Sequence, residues 1–179
     1  FVLPNCPTSI VVAMAANALG AVWSSCSPDF GVNGILDRFS QTEPKVLVVC
    51  DGYFYTGKTF DTREKFAEVL AALPSVKTSF MLGFADEAAD TGPLTGTERL
   101  DTALARHQDA TTPTFKRLNF NAPMVIMFSS GTTGKPKCIE HGQGGVLLKQ
   151  LTEHLLHNNT RPDDRTFFFT TCGRLTWHW

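Results

Sequence analysis

The residues best equipped for chemistry form one unbroken stretch, Phe128-Ser129-Ser130-Gly131-Thr132-Thr133-Gly134-Lys135-Pro136-Lys137. Four hydroxyls, two glycines and two lysines follow directly on the apolar run Met124-Val125-Ile126-Met127. Each type has a task if the stretch wraps a polyphosphate. Gly131 and Gly134 can adopt backbone angles closed to other residues and so let main-chain N–H groups approach an anion. Ser129, Ser130, Thr132 and Thr133 add hydroxyl donors, and Lys137 adds a full positive charge next to the stiff Pro136. A polar turn joining a strand to the next element is the plainer reading, and the density of matched residues weighs against it.

Other phosphate loops do not fit. A Walker loop has four residues between its first glycine and Gly-Lys-Ser/Thr; here only Thr132-Thr133 intervene, and Pro136 follows Lys135. No Gly-x-Gly-x-x-Gly occurs anywhere in the chain, which removes the dinucleotide and kinase patterns.

The stretch Ser129 to Lys137 resembles the signature loop of the adenylate-forming enzymes, which include the acyl-CoA synthetases, the luciferases and peptide-synthetase adenylation domains. The resemblance implies that Ser129, Ser130, Gly131, Thr132, Thr133, Gly134 and Lys137 hold the outer phosphates of ATP, with Lys137 and Thr133 acting in catalysis. A carboxylate is a poor electrophile and needs a leaving group before a thiol can attack it. Donors and positive charge that stabilise departing pyrophosphate supply that need.

Further segments carry the resemblance toward the acetoacetate-activating branch of the acyl-CoA synthetases. They are Leu3 to Pro7, Gly20 to Val32, Leu36 to Phe39, Gln41 to Leu47, Asp51-Gly52-Tyr53, and His141-Gly142-x-Gly144-Gly145. Trp23 to Phe30 discriminates, because acetate-activating relatives usually carry a glycine-rich sequence there. By this resemblance ATP, Mg2+ and CoA serve the parent enzyme, acetoacetate is ligated to CoA through an acyl-adenylate, and AMP and pyrophosphate are released. An acetyl- or propionyl-CoA ligase is the alternative within the family, and a non-catalytic nucleotide-binding remnant the alternative outside it.

The resemblance also implies an acyl pocket and CoA tunnel near Gly173, Arg174, Thr176 and Trp177. Arg174 stands where the family usually has tryptophan, and a charge beside a small acyl chain would alter substrate choice. Cys138 stands where glycine or alanine is usual. Relatives bind the CoA nucleotide through loops matching 27–29 and 53–58, where Lys58 could meet a phosphate; a solvated loop lysine is the equal alternative.

The remaining reactive types read as structure. His141 and His178 suit hydrogen-bonded packing better than catalysis. His154 and His157 lie three apart on a helix whose apolar face is Leu147, Leu148, Leu151 and Leu155, and no third ligand accompanies them, so no metal site is expected in this stretch. The five cysteines are odd in number and contain no Cys-x-x-Cys pair, which favours a reducing, cytoplasmic compartment over a disulfide framework.

Helix and strand signals that alternate along the whole chain predict the elements that position these groups: an α/β fold, a parallel-sheet, doubly wound portion of a larger domain. Pro7 to Leu19 reads as a buried helix ended by Gly20, Ala21 to Ser24 as a short strand, and Ile35, Leu36 and Phe39 as a helical face. Lys45 to Cys50 reads as a central strand buried on both faces. A loop from Asp51 to Phe60 then leads to a helix opened by the capping pair Asp61 and Glu64. Val76 to Leu82 is expected as a strand, the stretch from Gly83 to Gly96 as a surface loop, Thr97 to Arg106 as a short helix, and Pro123 to Phe128 as the strand that feeds the phosphate loop.

The 179 residues contain 42% hydrophobic types, enough for one core. Sixteen basic against seventeen acidic residues give a net charge of −1 without a basic cluster, so the expected partners are small molecules and not nucleic acid. No apolar run reaches the roughly 20 residues of a transmembrane helix. Phe1-Val2-Leu3 and Trp177-His178-Trp179 both read as interior sequence. The expectation is therefore that residues 1–179 are part of the large N-terminal, AMP-binding domain, inactive alone. The adenine- and magnesium-contacting motif, the ribose-binding aspartate and the C-terminal lid domain of the family are absent from them.

Overall fold

A computed structural model describes residues 1–129 and 134–178. Its frame is a parallel sheet. Strand β1 (Val46–Cys50) pairs in parallel with β4 (Thr78–Leu82), and β4 pairs in parallel with β5 (Thr97–Arg99). On the other side of β1 the sheet continues through single bridge positions. Val2 bridges both Val49 and Cys26, its N–H donating to the Val48 carbonyl at 2.8 Å. Trp23 then bridges Val125 of β6 (Pro123–Ser129), which folds back antiparallel onto β7 (Lys137–Gly142). The expected strand from Ala21 to Ser24 is thus reduced to bridge contacts at Trp23, with Cys26 bridging Val2 just beyond it.

β1 is buried at Leu47, Val48, Val49 and Cys50, on both faces, as its unbroken apolar run predicts. Helix α2 (Val32–Thr42) lays Ile35 and Phe39, one turn apart, into the same core, and α3 (Arg63–Ala71) adds Phe66 and Val69. Asp61 does not form the expected capping pair with Glu64. Thr62 is the N-cap residue without a side-chain cap, and the Asp61 carboxylate instead accepts from the Arg63 amide at 2.9 Å and pairs with its guanidinium at 2.6 Å.

Two further expectations are corrected. The segment 51–60 is not a loop: β2 (Gly52–Tyr55) and β3 (Lys58–Asp61) form an antiparallel hairpin turned at Thr56 and Gly57, whose φ values are 49° and 74°. Thr97 to Arg106 opens with β5 before α4 (Leu100–Ala105), because Thr97 to Arg99 completes the sheet edge beside β4.

Helix α1 (Pro7–Ala18) starts on Pro7 and ends where Gly20 takes φ 70°, with Ala21 N–H reaching back to the Ala16 carbonyl at 2.9 Å. It is not the buried helix its composition predicts. Only Ser9 and Ala13 are buried, while Ile10, Val11, Met14 and Leu19 are exposed. Helix α5 (Gln143–Leu151), which runs on through a widened π turn (Thr152–His157), likewise turns Leu147, Leu148, Leu151 and Leu155 outward.

Candidate functional site

The β6–β7 hairpin carries the hydroxyl- and glycine-rich loop at its tip. Phe128 is buried and tilts against Phe39 of α2 at 6.3 Å between centroids, which roots the hairpin in the core. Ser129 pairs directly with Lys137 in the antiparallel register, so hydroxyl and ammonium emerge on the same face at the mouth of the loop. Lys135 and Lys137 are exposed. Gly134 holds φ 94°, where a side chain is strained, and among the described residues no atom beyond its chain neighbours lies within 4 Å of the position a Cβ would take. Glu140 projects from the opposite face of β7, since strand residues alternate. Ser130, Gly131, Thr132 and Thr133 lie outside the described residues.

One contact was not legible in the loop itself. The Gln41 side-chain amide, at the end of α2, donates to the Pro136 carbonyl at 2.9 Å and to the Asp37 carbonyl at 2.6 Å.

The residues assigned to the acyl and CoA side fall into three places. Gly173 packs against the 27–30 loop so closely that a Cβ would meet the Ser27 nitrogen at 2.8 Å and the Phe30 ring at 2.9 Å. Trp177 joins Phe1 and Trp23 in an aromatic cluster with centroids 6.1 and 6.3 Å away, and its Nε1 donates to Asn5 Oδ1 at 3.0 Å. Thr176 exchanges a hydroxyl bond with Thr170 at 2.8 Å and lines a cavity of about 720 Å³ with His154, Asp164, Arg165 and Phe168. Arg174 is exposed and does not line that cavity.

Lys58 stands exposed beside the β2–β3 turn. The half-buried Lys65, absent from the sequence-based candidates, ties the hairpin to the 27–29 loop. Its ammonium donates to the Pro28 carbonyl and sits 5.6 Å from the Tyr53 ring, and burial holds its pKa below the ordinary lysine range.

The reactive types behave as structural groups. Burial pushes the Cys26, Cys50 and Cys172 thiols up to about 12. His178 is pulled down to about 4, first by burial and then by the neighbouring charge of His141; its Nε2 lies 3.4 Å from Ser25 Oγ. Among the described residues no group of three or more His, Cys, Asp or Glu side chains is placed to hold a metal ion, and no helix is long and apolar enough to cross a membrane.

With this geometry in view, the comparison with known proteins is direct. Residues 1–174 match the AMP-binding enzyme family. The chain belongs to that family. Acetoacetyl-coenzyme A synthetase of Rhizobium meliloti (strain 1021) is 45% identical over 178 residues, covering 99% of this chain and 27% of that protein. Acetoacetyl-CoA synthetase of Xenopus tropicalis is 41% identical over 182 residues, with the same two coverages. The solved structure of acetoacetyl-CoA synthetase from Streptomyces lividans superimposes with a TM-score of 0.89 at 38% identity, over 98% of this chain and 26% of that one. The AMP-binding chain thus spans 27% of the length of these curated relatives, and the α/β, parallel-sheet architecture is common to both.

Proposed function

We propose that the protein to which this chain belongs ligates acetoacetate to CoA at the expense of ATP; the relatives it resembles are named acetoacetyl-CoA synthetases. The observation that carries the reading is the hairpin mouth: Ser129 and Lys137 paired on one face, with the left-handed Gly134 open beside them. Such a mouth suits a polyanion, offering a charge and a hydroxyl donor on one face.

In this reading a carboxylate oxygen attacks the α-phosphorus and the bond to the β-phosphate oxygen breaks. Ser129, Ser130, Gly131, Thr132, Thr133, Gly134 and Lys137 stabilise the departing pyrophosphate, Lys137 by charge and Thr133 by its hydroxyl. The CoA sulfur then attacks the acyl carbon and AMP leaves. Mg2+ enters with ATP. Lys58 and Lys65 flank the side from which CoA approaches, and Gly173 to Trp177 lie toward the acyl group. Residues 1–179 form part of the N-terminal, nucleotide-binding domain, and the free, buried thiols suit a reducing cytoplasm.

The test uses the full-length protein with ATP, magnesium, CoA and a panel of acetoacetate, acetate and propionate. Acetoacetate is expected to give the highest kcat/KM, and Lys137→Ala to slow adenylation on the order of 100-fold. Preference for acetate would move the substrate to the neighbouring branch, and an unchanged adenylation rate in the variant would remove Lys137 from the chemistry.

A further inference from the structure

We infer that helix α2 is an external brace for the nucleotide loop and that Gln41 is a positioning residue for it. The inference rests on the proposed role of the loop and adds residues that do not themselves touch the nucleotide.

The helix reaches both ends of the loop. On the entry side, Phe128 is the last buried residue before the loop. It is flanked from α2 by Phe39, at 6.3 Å between ring centroids, and by the Arg38 guanidinium, 5.9 Å from its ring. Arg38 is itself pinned, with Nη1 donating to the Gly34 carbonyl at 2.6 Å and the Phe30 ring 4.7 Å away. On the exit side, Gln41 donates to the Pro136 carbonyl at 2.9 Å. Arg38 and Gln41 are three residues apart, so one helical face carries both contacts.

The exit contact acts where the backbone has little freedom left. The ring of Pro136 sets its φ, and Pro136 has no N–H to anchor it. Its remaining dihedral, ψ, decides where the carbonyl points, and a carbonyl held by Gln41 is a ψ held in place. Both dihedrals before Lys137 are then set, one by the ring and one by the amide, and with them the direction in which Lys137 leaves the loop. The second bond of Gln41, to the Asp37 carbonyl one turn back along the helix at 2.6 Å, ties the amide to the helix surface and limits the directions in which it can point.

The alternative is that Gln41 merely finishes the helix. That role would show in thermal stability alone, whereas a brace shows in the use of one substrate. The experiment compares full-length wild type with Gln41→Met, which keeps the length and loses the donor, and Gln41→Arg, which keeps a donor.

The expected result for Gln41→Met is a KM for ATP raised roughly threefold to tenfold, the factor a lost neutral hydrogen bond carries. KM for acetoacetate and CoA and the melting temperature should stay unchanged, and Gln41→Arg should recover most of the loss. Amide exchange at Gly134, Lys135 and Lys137 should quicken while exchange in 46–50 does not. An unchanged KM for ATP in Gln41→Met, where the wild type uses ATP, overturns the brace and leaves the loop assignment standing. A wild type without ATP dependence overturns both. Should Gln41→Met lower the melting temperature, the exchange comparison decides: quickening at 32–42 without quickening at 134–137 overturns the brace.

Discussion

The half of the molecule built on β1 and β4 hides most of its apolar residues, and the half built on β6, β7 and α5 displays many of them. Leu47, Val49, Phe66 and Met81 are fully buried, whereas Leu147 is 61%, Leu156 78% and Phe167 87% exposed. Helix α5 buries none of its residues. The two halves meet at β6, whose Val125, Met127 and Phe128 belong to the buried side while its partner β7 is exposed from Lys137 to Glu140. The contrast separates two tasks. Resistance to unfolding resides in the β1–β4 half, and the candidate nucleotide loop stands just outside it, rooted through Phe128 and braced through Gln41.

The sharpest way to break this comparison is a pair of truncations. Phe66→Ala, in the covered half, is expected to cost about 3–5 kcal/mol in urea unfolding, while Leu155→Ala should change stability by about 0.5 kcal/mol or less. Equal losses would mean that the exposed leucines are covered in solution.

Next in size is Asp51→Ala. The buried Asp51 carboxylate accepts from the amides of Phe84, Ala85 and Asp86 at 2.7, 3.0 and 2.8 Å, joining the end of β1 to the chain beyond β4. Removing it leaves these donors unmatched, for a loss of about 2–3 kcal/mol in the same unfolding experiment. A loss below about 0.5 kcal/mol would show that water replaces the carboxylate.

The smallest expected effect is a dependence on pH. His178 titrates at about 4 in the fold against an ordinary value of 6.5, so the unfolded chain binds more protons between the two. Its contribution is complete above about pH 6.5 and declines as pH falls toward 4, by at most about 3 kcal/mol and less where water reaches the ring. Denaturant curves at pH 7.5 and pH 5 should differ in the wild type and differ less in His178→Gln. An identical slope in the variant would assign the dependence elsewhere.

The difference between the halves also marks what could be read from the amino acids alone. The strand Lys45 to Cys50 and the family were legible because the signal for each is contiguous: one is an unbroken apolar run and the other a motif with fixed spacing. The brace was not, since Gln41 and Pro136 lie 95 positions apart and no local pattern links them. Helix α1 misled for a related reason. A helix that is apolar nearly all round signals burial, yet what lies against Ile10, Val11 and Met14 is not encoded in the helix. The 52–61 hairpin escaped notice because Thr56-Gly57 is not one of the asparagine- or aspartate-led pairs that announce a two-residue turn. Arg174, expected beside an acyl pocket, is exposed and is not among the residues that line the cavity around His154, Phe168 and Thr176.

The three amides gathered on Asp51 have one more effect. By fastening residues 84–86 to the sheet, that carboxylate separates the stretch from Glu87 to Gly96 from strand register, although Ala89 and Leu94 still pack into the core. Extra residues inserted there would lengthen an excursion that begins at a fixed anchor and rejoins the sheet at Thr97. Lengthening the chain at the exposed positions Asp90, Gly92 and Pro93 is therefore expected to leave undisturbed the strands that support the nucleotide loop.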